Sequence, residues 1–189
     1  MVARPTLQAQ KRVKTGKAYA NRLRNLGKVP GIIYGLNASP VAIEVDPTHL
    51  RKAYQNESGR NVLIDLQLDE QEHLTVLTHE LVFHALNHRL QHVDFMRVDL
   101  NKVVHQRVPL VVVGVAPGLK AGGVMEQAMS YALVSCLPEA IPNKLEIDVS
   151  HLEINQAIHI RDLKVPADVR LLDQAGTVVL RLAEPKAEK

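Results

Sequence analysis

Residues 61–98 read NVLIDLQLDEQEHLTVLTHELVFHALNHRLQHVDFMRV, and the fold turns on whether the histidine-bearing half is strand or helix. In the first half, NVLIDLQL and HLTVLTHEL are apolar runs on either side of the polar DEQE, which predicts strand, turn, strand. His79, His84, His88 and His92 follow. On a helix the last three would share one face at a spacing of four, the start of a metal site. The zinc-peptidase pattern, however, needs a second histidine four residues after the first, and Phe83 stands there. Apolar alternation continues through VFHALN into LQHVDFMRV, so the extended reading is preferred and the histidines are structural or partner-facing.

Working outward, the same pattern recurs. GKAYANRLRNLGKVPGIIYG, Gly16 to Gly35, reads as a short helix, a glycine stop and an apolar strand ending at Tyr34. PVAIEV alternates as a strand, and Asp46-Pro47 supplies an N-cap and first helical residue for PTHLRKAYQN. Many strands at short spacing with little helix predict a small, closed or nearly closed β-barrel. A second organisation begins near Asp99 to Val104. RVPLVVVGV reads as a strand whose Pro109 marks an edge or bulge, APGLKAGGV as a turn-rich loop, and MEQAMSYALVSCL as one long alternating strand. NKLEIDVS, IHIRDLKVPADV and GTVVLRLA complete it, and EPKAEK reads as a frayed tail. The expected class is mainly β: a small N-terminal β-barrel with two or three short helices over 1–96, an all-β C-terminal domain over 97–183, and a flexible tail over 184–189.

Composition removes several functions. The single cysteine, Cys136, excludes an intrachain disulfide and, within the alternating YALVSCLPE, reads as a buried thiol. No apolar run reaches the roughly 20 residues of a membrane span, and MVARPTLQAQK has no apolar signal core, so a cytoplasmic address is expected. The glycine-rich GVAPGLKAGG lacks dinucleotide spacing and the Gly-Lys-Ser/Thr ending of a phosphate loop. Ser135 beside Cys136 sits in strand-like sequence without a nucleophile elbow. No catalytic residue, metal, cofactor or small-molecule substrate is indicated, and the expectation is a protein that is not an enzyme.

Charge supplies the positive signal. Residues 1–43 hold eight Lys or Arg and no acid, whereas the remainder holds fifteen basic and twenty acidic residues within an overall net of +3. From Arg97 onward the two signs balance at eleven each. At roughly 100° per residue, Lys17, Asn21, Arg24 and Lys28 fall on one side of the first helix. Tyr19, Leu23 and Leu26 fall opposite, with Arg22 on the flank. A solvated helix mixes signs to gain i,i+4 pairs, and this one has none to make. Its counter-charge is therefore expected from another molecule, with nucleic-acid phosphate the obvious supplier and an acidic protein or a merely solvated face the alternatives.

These residues also resemble a known family. GKAYANRLRNLGKVPGIIYG, followed some fifty-five residues later by LQHVDF, resembles the bacterial large-subunit ribosomal protein that binds 5S rRNA. That family is numbered twenty-five in the large-subunit series and includes the general stress protein CTC. VPLVVVGVAPGLKAGGVMEQ, LEIDVSHLEI and IHIRDLKVP resemble the second β-domain of its longer members, so the match spans essentially the whole chain. The resemblance implies a structural component of the large ribosomal subunit, cytoplasmic on the ribosome, whose barrel binds the loop E region of 5S rRNA through its minor groove. Its C-terminal domain would reach other RNA or protein. By motif position the RNA-binding residues are Arg12, Lys14, Lys17, Arg22, Arg24, Tyr34, His92 and Asp94, with His79 a weaker carry-over. Asn21 and Asn25 stand where some relatives carry further arginines, which lowers the expected phosphate count. The alternatives are a stress-linked adaptor whose C-terminal domain binds protein, and a metal hydrolase using the histidine run.

Overall fold

The computed structural model describes residues 4–54, 61–69 and 72–184. The chain divides into two compact units, Met1–Lys102 and Val103–Lys189.

The first unit is a closed six-stranded barrel. Its strands are β1 (Thr6–Lys11), β2 (Val29–Gly35), β3 (Ala38–Val45), β4 (Leu63–Leu68), β5 (Glu72–Phe83) and β6 (Leu90–Arg97), in the order β1-β3-β2-β6-β5-β4. Parallel pairing of β1 with β4, from Thr6 opposite Asp65 to Ala9 opposite Leu68, closes the ring and removes both sheet edges. Alternation decides what faces inward. Leu7, Ile33, Ile43, Ile64, Leu66, Val76, Val93 and Phe95 are fully buried, and they form one cluster with Leu50 from a helix. Each such side chain contributes roughly 1.5–3 kcal/mol on burial. The core is aliphatic around the single ring of Phe95, as a chain without tryptophan requires. The histidine-bearing stretch is extended as expected: His79 lies in β5, His92 in β6, and His84 and His88 flank the turn between them. Of the polar connection DEQE, Glu70 and Gln71 lie outside the described residues.

Among the described residues two helices sit on the barrel. Helix α1 (Lys17–Asn25) ends where Gly27 takes φ 79°. There the Lys28 N–H donates to the Leu23 carbonyl and the Gly27 N–H to that of Arg24, a Schellman stop that needs glycine's left-handed freedom. This stop corrects the expected helix faces. Leu23 is buried and Tyr19 half-buried, but Leu26 is 67% exposed, because Leu26 and Lys28 follow the last helical residue and the helical projection does not apply to them. Helix α2 (Pro47–Tyr54) opens as its sequence predicts. The Asp46 carboxylate accepts from the Thr48 N–H at 2.7 Å, which holds its pKa below the ordinary carboxylate value, and the Asp46 carbonyl accepts the Leu50 N–H. Gln55 and Asn56, expected to continue this helix, lie outside the described residues.

The second unit contains two sheets. Strand β7 (Val104–Val113) is central to one, pairing antiparallel with β9 (Tyr131–Cys136) and parallel with β10 (Leu145–Asp148). Strand β12 (Arg170–Leu171) adds to β9. The other sheet has the order β11-β13-β8, from Ala157–His159, Val178–Ala183 and Val124–Gln127. The expected long strand over 125–137 is therefore two strands in two sheets. Ala128 and Met129 both donate backbone N–H groups to the Val179 carbonyl where the chain changes partner. Within the expected turn-rich loop, Pro117–Lys120 form a single helical turn, α3. Pro109 sits opposite Tyr131 of β9, just before the β10 pairing begins at Leu110, so its missing N–H costs no bond in that ladder. Leu145, Ile147 and Val149 are buried while Glu146 and Asp148 are exposed, as alternation predicts. Cys136 is buried, which raises its thiol pKa.

Candidate nucleic-acid interface

The outer face of β2, β5 and β6 carries a compact polar cluster. Register places Ile32 of β2 and Glu80 of β5 on either side of Asp94 in β6, with Val82 opposite His92. Between Thr78 and Glu80 the β5–β6 register shifts. Thr78 points into the core, where it bonds the Tyr54 hydroxyl, while His79 and Glu80 are both exposed. A bulge re-aims a side chain in this way, and here it brings His79 over the strand face. Its ring meets that of Tyr34 edge-on, with centroids 6.0 Å apart and planes inclined at 73°.

His92 Nδ1 lies 2.5 Å from Asp94 Oδ1 in this cluster. The two groups are close, yet that oxygen is buried with no hydrogen-bond partner. With Nδ1 turned to the carboxylate, Nε2 is the atom left for a partner. It accepts a hydrogen bond when the ring is neutral and donates one when the ring is protonated. The Tyr34 pKa is raised, first by burial and then by the Asp94 and Glu80 carboxylates, so its hydroxyl remains a neutral donor.

Helix α1 joins this face through one side chain. Arg24 Nε donates to the Gln91 carbonyl at 3.0 Å, and Nη1 donates to Asn21 Oδ1 at 2.9 Å. Gln91 immediately precedes His92, so the helix and the polar cluster form adjoining parts of one surface. Arg12 is likewise committed to the fold: its Nη2 donates to the Gly31 carbonyl at 3.1 Å, and its Nε is buried without a partner.

The basic residues thus divide into two sets. Lys28 is paired with Glu44 and Lys11 with Glu72, at 3.3 Å for the latter. The expectation that the helix segment has no internal counter-charge is corrected at Lys28. Glu44 lies across the β2–β3 pair, a tertiary neighbour that helix spacing does not reveal. Lys14, Lys17 and Arg22 are exposed and have no ion pair or hydrogen-bonded side-chain partner among the described residues. Lys17 opens a helix whose first turn contains no acid, so two lysines and the positive helix end face solvent together. That is an arrangement for receiving an anion.

The structure therefore places Tyr34, His79, His92 and Asp94 on one strand face, and Lys17, Arg22 and Arg24 on the adjoining helix. Arg12 and Arg24 are structural anchors as well. Glu80 and the Gln91 carbonyl were not singled out from the sequence; a bulge and a backbone acceptor leave no residue-type signal. Among the described residues no group of three His, Cys, Asp or Glu side chains could hold an ion.

Comparison with known proteins covers both units. The pattern of the Ribosomal L25p family matches residues 7–95, and that of the ribosomal protein TL5 C-terminal domain matches residues 103–186. The chain is 40% identical to the large ribosomal subunit protein bL25 of Listeria monocytogenes serotype 4b, across 97% of this chain and 88% of that protein. It is 35% identical to bL25 of Anaeromyxobacter dehalogenans strain 2CP-1, across 100% of this chain and 78% of the relative. For bL25 of Geobacter metallireducens the identity is 36%, across 93% and 90%. With both patterns matched in order and identity sustained over nearly the full length, the chain belongs to the bL25 family of ribosomal proteins, in the form that carries a TL5-type C-terminal domain.

Proposed function

We propose that this protein binds 5S rRNA at its loop E region, through the outer face of β2, β5 and β6 together with helix α1. Its family makes it a structural, non-catalytic component of the large ribosomal subunit, acting in translation on the cytoplasmic ribosome. The observation that carries the finer reading is the Arg24–Gln91 link. It makes one surface of exposed cations, which suit phosphate, and a strand face of short polar groups. Structured RNA offers a wide, shallow minor groove lined with 2′-hydroxyls, and it is read mostly by shape and backbone contacts. On this reading Lys14, Lys17 and Arg22 hold phosphates. The Tyr34 hydroxyl and the His92 Nε2 meet ribose or phosphate, and His79 buttresses Tyr34. Asp94 orients His92 and offers an acceptor toward a guanine amino group or a 2′-hydroxyl.

The test is binding to isolated 5S rRNA across a salt series. Affinity falls steeply with salt, because each neutralised phosphate adds about 0.9 to the log–log slope on a duplex. A flat response, or equal affinity for 5S rRNA whose loop E is disrupted, overturns the assignment.

A second reading concerns the C-terminal unit. Val111, Val113 and Tyr131 are exposed, and register places Pro109 beside Tyr131 with Glu146 and Asp148 beside the two valines. An apolar stripe with a carboxylate margin, on a unit without excess positive charge, suits a protein surface with a basic rim better than RNA. If residues 103–189 joined to the barrel add nothing to retention on large subunits, that reading is wrong.

A further inference from the structure

A groove of about 1000 Å³ opens within the first unit, between α1, α2 and the turn that joins β5 to β6. It is separate from the His92–Asp94 cluster, none of whose side chains line it. Leu50 and Leu90 contribute apolar wall, and Phe83, 41% exposed, lines it as well. Arg51 and Arg89, both exposed, stand at its margin, and among the described residues no Asp or Glu lines it. Asn25 and Gln91 add side-chain amides.

We propose that this groove receives one unpaired nucleotide of the bound RNA. Its base would lie against Phe83 and its flanking phosphates on Arg51 and Arg89. The inference rests on the RNA-binding reading above and extends it from a duplex surface to a single-nucleotide pocket. Three features favour a nucleotide over an acidic peptide. An exposed aromatic face beside guanidinium groups is the usual platform for an unstacked base. Amide side chains are suited to the donor and acceptor edge that a base presents. The groove also shares Asn21 and Arg24 with helix α1, so a chain held on Lys17 and Arg22 passes its mouth. Its volume lies at the upper end of the roughly 300–1,000 Å³ range of small-molecule sites.

The experiment uses the full chain and 5S rRNA, comparing wild type with Phe83→Ala and with the double variant Arg51→Glu, Arg89→Glu. Urea unfolding confirms that each variant folds, and base-specific chemical probing reads the unpaired positions of the RNA. Wild type shields one unpaired base that becomes reactive again with Phe83→Ala, and affinity falls about five- to a hundredfold. The arginine reversal weakens binding at least tenfold while the remaining footprint stays in place. Folded variants that bind like wild type, or a wild-type footprint that shields no unpaired base, overturn the groove and leave the duplex reading standing. Wild type that binds no 5S rRNA removes both. A repeating Glu-Phe peptide that loses binding on the arginine reversal, with RNA affinity unchanged, overturns the nucleotide and makes the groove a peptide site.

Discussion

Replacing Arg24 by lysine separates holding the helix from charging it. Wild-type Arg24 spends two of its five N–H donors inside the protein, one on the Gln91 carbonyl at 3.0 Å and one on Asn21 Oδ1 at 2.9 Å. Three donors remain. Lysine keeps the positive charge but is a single point donor on a flexible stem, and it cannot satisfy carbonyl and amide together. A hydrogen bond from a charged group is worth about 1.5–3 kcal/mol net when protected. Arg24 is half-buried, so solvent screening places its helix anchor nearer about 1–1.5 kcal/mol. Arg24→Lys should therefore lower the unfolding free energy from urea titration by that amount and weaken 5S rRNA binding through a loosened helix, with the salt slope unchanged. Arg24→Ala should cost about 1–3 kcal/mol in affinity and also flatten the slope by about 0.9, because one phosphate contact goes with the charge. Wild-type stability and affinity in Arg24→Lys would refute the anchoring argument. An unchanged slope in Arg24→Ala would refute the phosphate contact.

The other substitutions probe separate parts of the account. Lys17→Ala and Arg22→Ala should each reduce the salt slope by about 0.9 and leave stability within about 0.5 kcal/mol, as filter binding and urea unfolding report. Asp46→Ala should destabilise the barrel by about 0.5–2 kcal/mol through loss of the α2 cap. Because the Thr48 N–H lowers the folded pKa of Asp46, that carboxylate's contribution is complete above its ordinary value of about 3.9 and disappears as pH falls through the lower folded value. Asp46→Asn keeps a capping oxygen at all pH and should flatten the acid limb of stability; an identical limb excludes the carboxylate as its source. Gly118→Ala should cost the second unit about 1–3 kcal/mol in thermal or urea unfolding. Its Cβ would sit 2.2 Å from Leu182 Cδ2 and 2.8 Å from the Ile154 nitrogen, and a neutral outcome would mean that the backbone there yields.

Much of the barrel was legible because its signals are local. Alternation in NVLIDLQL and LQHVDFMRV marked strands, Asp46-Pro47 marked a helix start, and Gly27 marked a helix stop. Alternation also settled the histidines, since His84 and His88 flank a turn rather than share a helix face. What was hidden depends on partners distant in sequence. MEQAMSYALVSCL alternates without interruption, yet its two halves pair with β13 and β7, a division set by topology. The bulge at His79 adds one residue to a strand, and nothing in a period of two announces it. Lys28 belonged by spacing to the free face of α1 and by tertiary structure to Glu44. Arg24, chosen as an RNA contact, is also a clamp whose acceptor is a backbone carbonyl sixty-seven residues away.

Hydroxyl-radical footprinting of 5S rRNA, with the full chain and with the Lys17→Ala, Arg22→Ala double variant, tests the central claim most directly. Wild type should shield backbone riboses of loop E, and the double variant should lose that protection on the side held by α1 while keeping the part held by Tyr34 and His92. Protection confined to another arm of the RNA, or a footprint indifferent to both substitutions, would contradict the account.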